Sequence, residues 1–187
     1  MKAGLVLVDI QNDYFPGGRM ELIGMEAAGT TSGALLNLFR KKRWPTVHIQ
    51  HISINPGATF FLPDTTGAEI HGSVKPRSND VLIQKNYPNS FRETDLYESI
   101  KKTGVQQLVI CGAMSHMCID ATTRAAADLG FYCTVIHDGC AARNLEFSGR
   151  TIPAEEVHGS FMAALGAGYA KVISSDEYVS GIKEKEK

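Results

Sequence analysis

Three residues of the 187-residue chain, Asp9, Lys85 and Cys118, are of types that can together break a bond to carbon. A carboxylate can take and return a proton, a thiol attacks once deprotonated, and an ammonium stabilises the resulting sulfur anion. Each has a plainer use alone: Asp9 as a turn cap, Lys85 as a solvated cation, Cys118 as a small core residue. What links them is position. Asp9 ends the apolar run GLVLVDI, Lys85 ends DVLIQK, and Cys118 follows QLVICG across a short loop at the start of a helical pattern. A free thiol titrates at about 8.5, so a nucleophilic cysteine needs help. The helix start and Lys85 are both expected to favour thiolate, with Asp9 as the proton acceptor.

The elements that position these residues are legible as alternating patterns. Short Val, Ile and Leu-rich runs at 4–10, 46–52, 80–85, 107–112, 132–138 and 170–175 read as strands buried on both faces. Between them, helical spacing covers 26–42, 95–102, 118–129 and 153–165, with Thr151 as a candidate N-cap of the last. Alternation of this kind predicts a three-layer α/β/α, Rossmann-like domain with a mainly parallel six-stranded sheet and right-handed crossovers. Such sheets carry their chemistry at the carboxyl ends of strands, where the three reactive residues fall.

Composition narrows the partners. With 19 basic and 20 acidic residues the net charge is −1, which gives no electrostatic reason to expect nucleic acid or an anionic membrane. Asp9 interrupts the first apolar stretch too early for a signal or membrane span, and Cys111, Cys118, Cys133 and Cys140 show neither zinc spacing nor disulfide density. A cytoplasmic protein with free thiols is expected, built as one domain over residues 1–187. Residues 53–79 are too long and too rich in Gly, Pro and Asn for a plain connector, and are expected to cover the pocket or form an oligomer contact. The pair Phe60-Phe61 in that loop favours a homo-oligomer, dimer or tetramer. Residues 181–187, GIKEKEK, read as a flexible tail. Neither GxGxxG nor a Walker loop occurs, so no cofactor is expected.

In the order LVLVDIQNDYF, VLIQKNYPNSF and LVICGAMSHMCIDATTRAAADLGF, the chain resembles the cysteine hydrolases of the isochorismatase-like superfamily over roughly residues 4–175. The resemblance implies an Asp9-Lys85-Cys118 catalytic triad. It also implies a cis peptide between Ala113 and Met114, with the N–H groups of Met114 and Cys118 forming the oxyanion hole. Phe15 and Phe91, each six residues past a triad member, are expected to wall a small-molecule pocket, with Gln11, His51, Tyr87, His116 and Met117 as further candidates.

Metal is not expected. The nicotinamidase branch carries Asp-x-His after its second strand, whereas this chain reads His48-Ile49-Gln50-His51 without the acid, and residues three apart on a strand face opposite ways. His137 and His158 are expected to be structural. The leading expectation is therefore a metal-independent hydrolase of a small amide, carbamoyl or related C–N bond acting through a Cys118 thioester. The alternatives are an isochorismatase-type vinyl-ether hydrolase needing only Asp9, a metal-dependent nicotinamidase, and a thiol redox sensor centred on Cys118.

Overall fold

In the computed structural model, which describes residues 2–78 and 80–184, the strands β1 (Ala3–Val8), β2 (Thr46–His51), β3 (Val81–Lys85), β4 (Gln107–Ala113), β5 (Tyr132–Ala141) and β8 (Ala170–Ile173) form one sheet. Its order is β3-β2-β1-β4-β5-β8 and every neighbouring pair is parallel. β1 lies near the middle and all six of its residues are buried, as expected of a strand covered by helices on both faces. The helices are α1 (Met25–Lys41), α2 (Leu96–Lys101), α3 (Asp120–Asp128), α4 (Ala154–Gly166) and α5 (Ser175–Glu184). In α1 the buried positions Met25, Ala28, Ser32, Leu35, Leu36 and Phe39 recur at helical spacing, and the helix ends on Arg40 and Lys41, cations that complement its dipole.

Three features differ from the sequence expectation. Residues 181–184 continue α5 rather than fraying, while residues 185–187 lie outside the described residues. The helix is started by a reciprocal cap in which Ser174 N–H donates to Glu177 Oε2 at 2.8 Å and Glu177 N–H donates to Ser174 Oγ at 3.2 Å. It is held by Tyr178, stacked on Phe39. Between β5 and α4 a hairpin of β6 (Leu145–Phe147) and β7 (Arg150–Ile152) turns through Ser148 and Gly149, both at positive φ, as two-residue hairpins require. That hairpin changes the cap of α4: Thr151 hydroxyl donates to Glu146, and Ala154 N–H is taken by Asn144 Oδ1 at 2.9 Å.

The segment 53–78 is folded onto its own chain. It contains single turns at Thr66–Ala68 and Gly72–Val74, the second so close to α1 that a Cβ at Gly33 would sit 2.6 Å from Ser73 O. Phe61 is buried against Tyr14, and Phe60 is partly buried on both. The aromatic pair is therefore not an exposed patch, which removes the sequence argument for an oligomer.

Candidate active site

The carboxyl ends of three neighbouring strands build one side of the site. Asp9 follows β1 directly, His51 ends β2, and Lys85 ends β3 opposite His51 in register. Asp9 is held in the left-handed region at φ 52°, a conformation costing about 1–2 kcal/mol for a residue with a Cβ. Its N–H donates to Ile49 O at 3.1 Å, and its carbonyl accepts from Gln11 N–H at 3.0 Å. Lys85 starts two strands from Asp9, roughly 10 Å at ordinary sheet spacing. Only a long side chain bridges that gap. Laid across the end of β2, it reaches Asp9 Oδ2 at 2.8 Å.

The Lys85 ammonium is also 3.3 Å from Cys118 Sγ, 3.0 Å from His51 Nδ1 and 3.0 Å from Tyr87 O. Three ammonium protons thus face four acceptors. Cys118, Asp9 and His51 offer ligand atoms within 4.8 Å of one another, a grouping suited in principle to a metal. The ammonium contacts all three of these donors, so it already serves as their cation, and the residues present do not fit an added metal ion.

Burial sets the electrostatics. Asp9, Lys85 and Cys118 are 0%, 1% and 4% exposed, so bulk water does not screen them. Burial and then the Asp9 carboxylate push the Cys118 thiol well above its ordinary range, although Lys85 pulls the other way. This corrects the expectation of a thiol lowered at rest: the sulfur keeps its proton until a base takes it. Burial alone would lower the Lys85 ammonium, but Asp9 and Cys118 outweigh it and hold the group above its usual value. Burial lowers His51, with Lys85 adding to the effect against Asp9, so its imidazole is neutral and can accept from the ammonium.

On the other side, β4 leads into the nucleophile. Gly112 has φ 127°, and a Cβ there would lie 2.0 Å from Val8 O, so only glycine lets β4 pass β1 at this point. The Ala113–Met114 peptide is cis. The chain then winds through a wide turn, Ser115–Ile119, before α3 begins at Asp120. Helical winding thus starts three residues earlier than expected, with Cys118 inside a π-turn rather than at the helix start. Met114 O accepts from Met117 N–H at 3.0 Å and Ile119 N–H at 3.2 Å, and neither bond uses the Cys118 N–H.

The expected pocket residues divide. Gln11 is fully buried and braces the backbone: Nε2 donates to His51 O at 2.9 Å and Ala68 O at 2.7 Å, while Oε1 accepts from His51 N–H at 2.7 Å. With those atoms engaged it is a scaffold residue, not a substrate ligand. Phe15 stacks on His71 at 3.5 Å and packs on Gly29 of α1, and Phe91 stacks on Phe131 beyond the end of α3, so both serve packing between elements. Tyr87 brings its carbonyl to Lys85 and its ring beneath Arg92. His51 is in the cluster, half-buried His116 lies edge-on to Phe161 of α4, and Met117 is exposed.

The sequence reading missed Asp13 and Tyr14. Buried Asp13 accepts from Phe61 N–H at 2.7 Å and Arg19 N–H at 3.2 Å, which ties the long loop to the segment after β1. Tyr14 is buried beside it, and burial followed by the charges of Cys118 and Asp9 holds its hydroxyl well above the usual range. Both lie within the stretch DIQNDYF, but nothing in local periodicity marks a side chain that holds a loop some 50 positions away.

Comparison with known proteins places this geometry. The isochorismatase domain family matches residues 3–177. An uncharacterised isochorismatase family protein of Bacillus subtilis, YddQ, is 46% identical over 179 residues, covering 96% of this chain and 99% of that protein. A streptothricin hydrolase of Streptomyces noursei is 30% identical over 150 residues, covering 75% of this chain and 50% of its own length. A crystal structure from Oleispira antarctica assigned to the isochorismatase hydrolases superposes with a TM-score of 0.92 at 47% identity, covering 96% of each chain.

Proposed function

The chain belongs to the isochorismatase family of hydrolases, and from that premise we propose that it cleaves a small amide, carbamoyl or related C–N bond through a Cys118 thioester, without a metal. The supporting observation is the single ammonium of Lys85, 2.8 Å from the Asp9 carboxylate and 3.3 Å from the Cys118 sulfur. A base, a nucleophile and the cation that stabilises both anions then share one dry site.

In the proposed sequence Asp9 takes the thiol proton as sulfur attacks the acyl carbon. The developing sulfur charge is carried by Lys85, and the carbonyl oxygen becomes an oxyanion facing the N–H groups of Met114 and Cys118. Collapse breaks the C–N bond, with the Asp9 proton passing to the departing nitrogen. Asp9 then deprotonates a water that attacks the thioester, and the acid product leaves as the thiol regains its proton.

The high resting affinity of the thiol for its proton fits this order, because thiolate forms only as the attack proceeds. It argues against a redox sensor, which needs a standing thiolate. Vinyl-ether hydrolysis would leave the Lys85 contact to sulfur without a use, and a nicotinamidase-type metal would lack the acidic ligand that His48-Ile49-Gln50-His51 does not supply.

The test is a screen of small amides, ureido acids and carbamoylated amines, with isochorismate as a separate arm read by pyruvate release. Cys118→Ala should reduce hydrolysis to background, and mass spectrometry of the stalled wild-type protein should find the acyl group on Cys118. Full activity in Cys118→Ala refutes the mechanism.

A further inference from the structure

We propose that His158 is a positioning residue for the nucleophile, holding the turn that carries Cys118 by way of the buried hydroxyl of Ser115. The proposal rests on Cys118 being the nucleophile. Ser115 is the first residue of the π-turn and is wholly buried. Its Oγ lies 3.1 Å from Ala141 O of β5 and 2.8 Å from Nδ1 of His158 in α4.

Counting protons fixes the direction of these bonds. The carbonyl of Ala141 can only accept, and the serine hydroxyl has one proton to give. Both contacts are hydrogen bonds together only if Ser115 donates to Ala141 O and His158 Nδ1–H donates to Ser115 Oγ. That selects one neutral tautomer of His158, consistent with burial, and then His137, lowering its proton affinity. A serine that gave its proton to Nδ1 would instead release its hold on β5.

The arrangement clamps the turn from two elements. β5 holds Ser115 through Ala141, and α4 holds it through His158. One turn further along α4, Phe161 meets the next residue, His116, edge-on at 6.1 Å. Opposite this clamp, three residues along the turn, the Cys118 sulfur rests on Lys85. An attack geometry displaced by about 1 Å is enough to slow a reaction roughly 100-fold, so a tie that fixes the start of this turn bears on rate.

The assignment is testable without knowing the natural substrate, using p-nitrophenyl acetate as an activated acyl donor and following the burst of p-nitrophenolate. In the wild type the burst should be one per site and absent from Cys118→Ala. His158→Leu should slow the burst roughly 10- to 100-fold while leaving its amplitude intact. His158→Asn, whose amide N–H falls near the Nδ1 position, should restore most of the rate. Ser115→Ala combined with His158→Leu should be no slower than the slower single variant, because both break one linkage.

A merely structural histidine would lower the urea midpoint and leave the burst rate per folded site unchanged, which would overturn the proposal. So would an Asn variant as slow as Leu, or a double variant whose losses multiply. Should His158→Leu fail to fold, His158→Gln, with its amide nearer the Nε2 position, replaces it in the same comparison. A wild-type burst that survives in Cys118→Ala would remove the nucleophile itself, and with it this role for His158.

Discussion

His48 and His51 stand three residues apart on β2, and each meets a carboxylate and a cation. His51 Nδ1 accepts from Lys85 and lies 4.0 Å from Asp9. His48 Nε2 lies 3.4 Å from Asp80, which is paired with Arg40. Burial lowers both imidazoles. The two clusters share ingredients and differ in three respects. Asp80 precedes β3 while Lys85 ends it, so they occupy opposite edges of the sheet. Arg40 is a rigid fork closed on Asp80 and Lys75 O, with Arg77 N–H also on Asp80 at 2.8 Å, whereas the Lys85 ammonium is a point charge shared among four acceptors. Finally, only the carboxyl-edge cluster includes a thiol. A His-Asp-cation grouping therefore says little by itself; chemistry follows from the sheet edge and from an acceptor left short of protons.

Neutralising the cation in each cluster should separate them most sharply. Lys85→Met leaves Asp9 buried without its counter-ion, a change that costs about 3–5 kcal/mol in stability. It should also lower the rate per folded molecule at least roughly 100- to 1,000-fold. Arg40→Met removes a charged hydrogen bond from Asp80, at about 1.5–3 kcal/mol, and should leave the rate per folded molecule at the wild-type value. Urea titration beside initial rates normalised to folded protein checks both, and equal kinetic effects would dissolve the distinction.

Acid should sharpen the comparison with a smaller effect. Both histidines have folded-state proton affinities below the ordinary value of 6.5. As pH falls below about 6.5 the unfolded chain binds protons that the folded chain refuses, so stability present above that pH is lost as pH drops. Asp80 has the same sign at lower pH. Burial would raise its carboxyl, but Arg77 N–H and Arg40 outweigh it and hold the group below the ordinary 3.8. Its contribution therefore persists until pH falls through that range. His48→Gln should flatten the decline in unfolding free energy between pH 7 and 5 without moving the acid limb of turnover. The corresponding change at His51 should move that limb, because protonation there would set an imidazolium against Lys85.

The sheet was readable because strands buried on both faces leave uninterrupted apolar runs, and the ends of those runs located Asp9 and Lys85. Elements defined by caps or turns were harder to see. The charged end GIKEKEK masks the last turn of α5, although Ser174 and Glu177 carry the start signal. The hairpin at 145–152 is marked only by its Ser-Gly pair. Within the site, residue types were legible and environments were not. Gln11 looks like any polar residue near a carboxylate until its amide is seen engaged by loop and strand. The thiol looked activated because Lys85 and a helix start are visible in sequence, whereas its burial beside Asp9 is not.

The place of Lys85 has a consequence for how the enzyme fails. Among the described residues β3 is the outermost strand on its side and pairs with β2 alone, with Val81 and Leu82 exposed. Strands with one neighbour open locally at less free energy than central ones. Opening this strand carries the ammonium out of the site while β1, β4 and β5 stay paired. Catalytic activity should therefore vanish at a lower urea concentration than the circular dichroism of the sheet, with β3 amides exchanging ahead of those of β1. Coincident loss of all three would show that the edge does not open separately. The working lifetime of the protein is then set by the edge strand that carries Lys85, not by the central strands β1, β4 and β5.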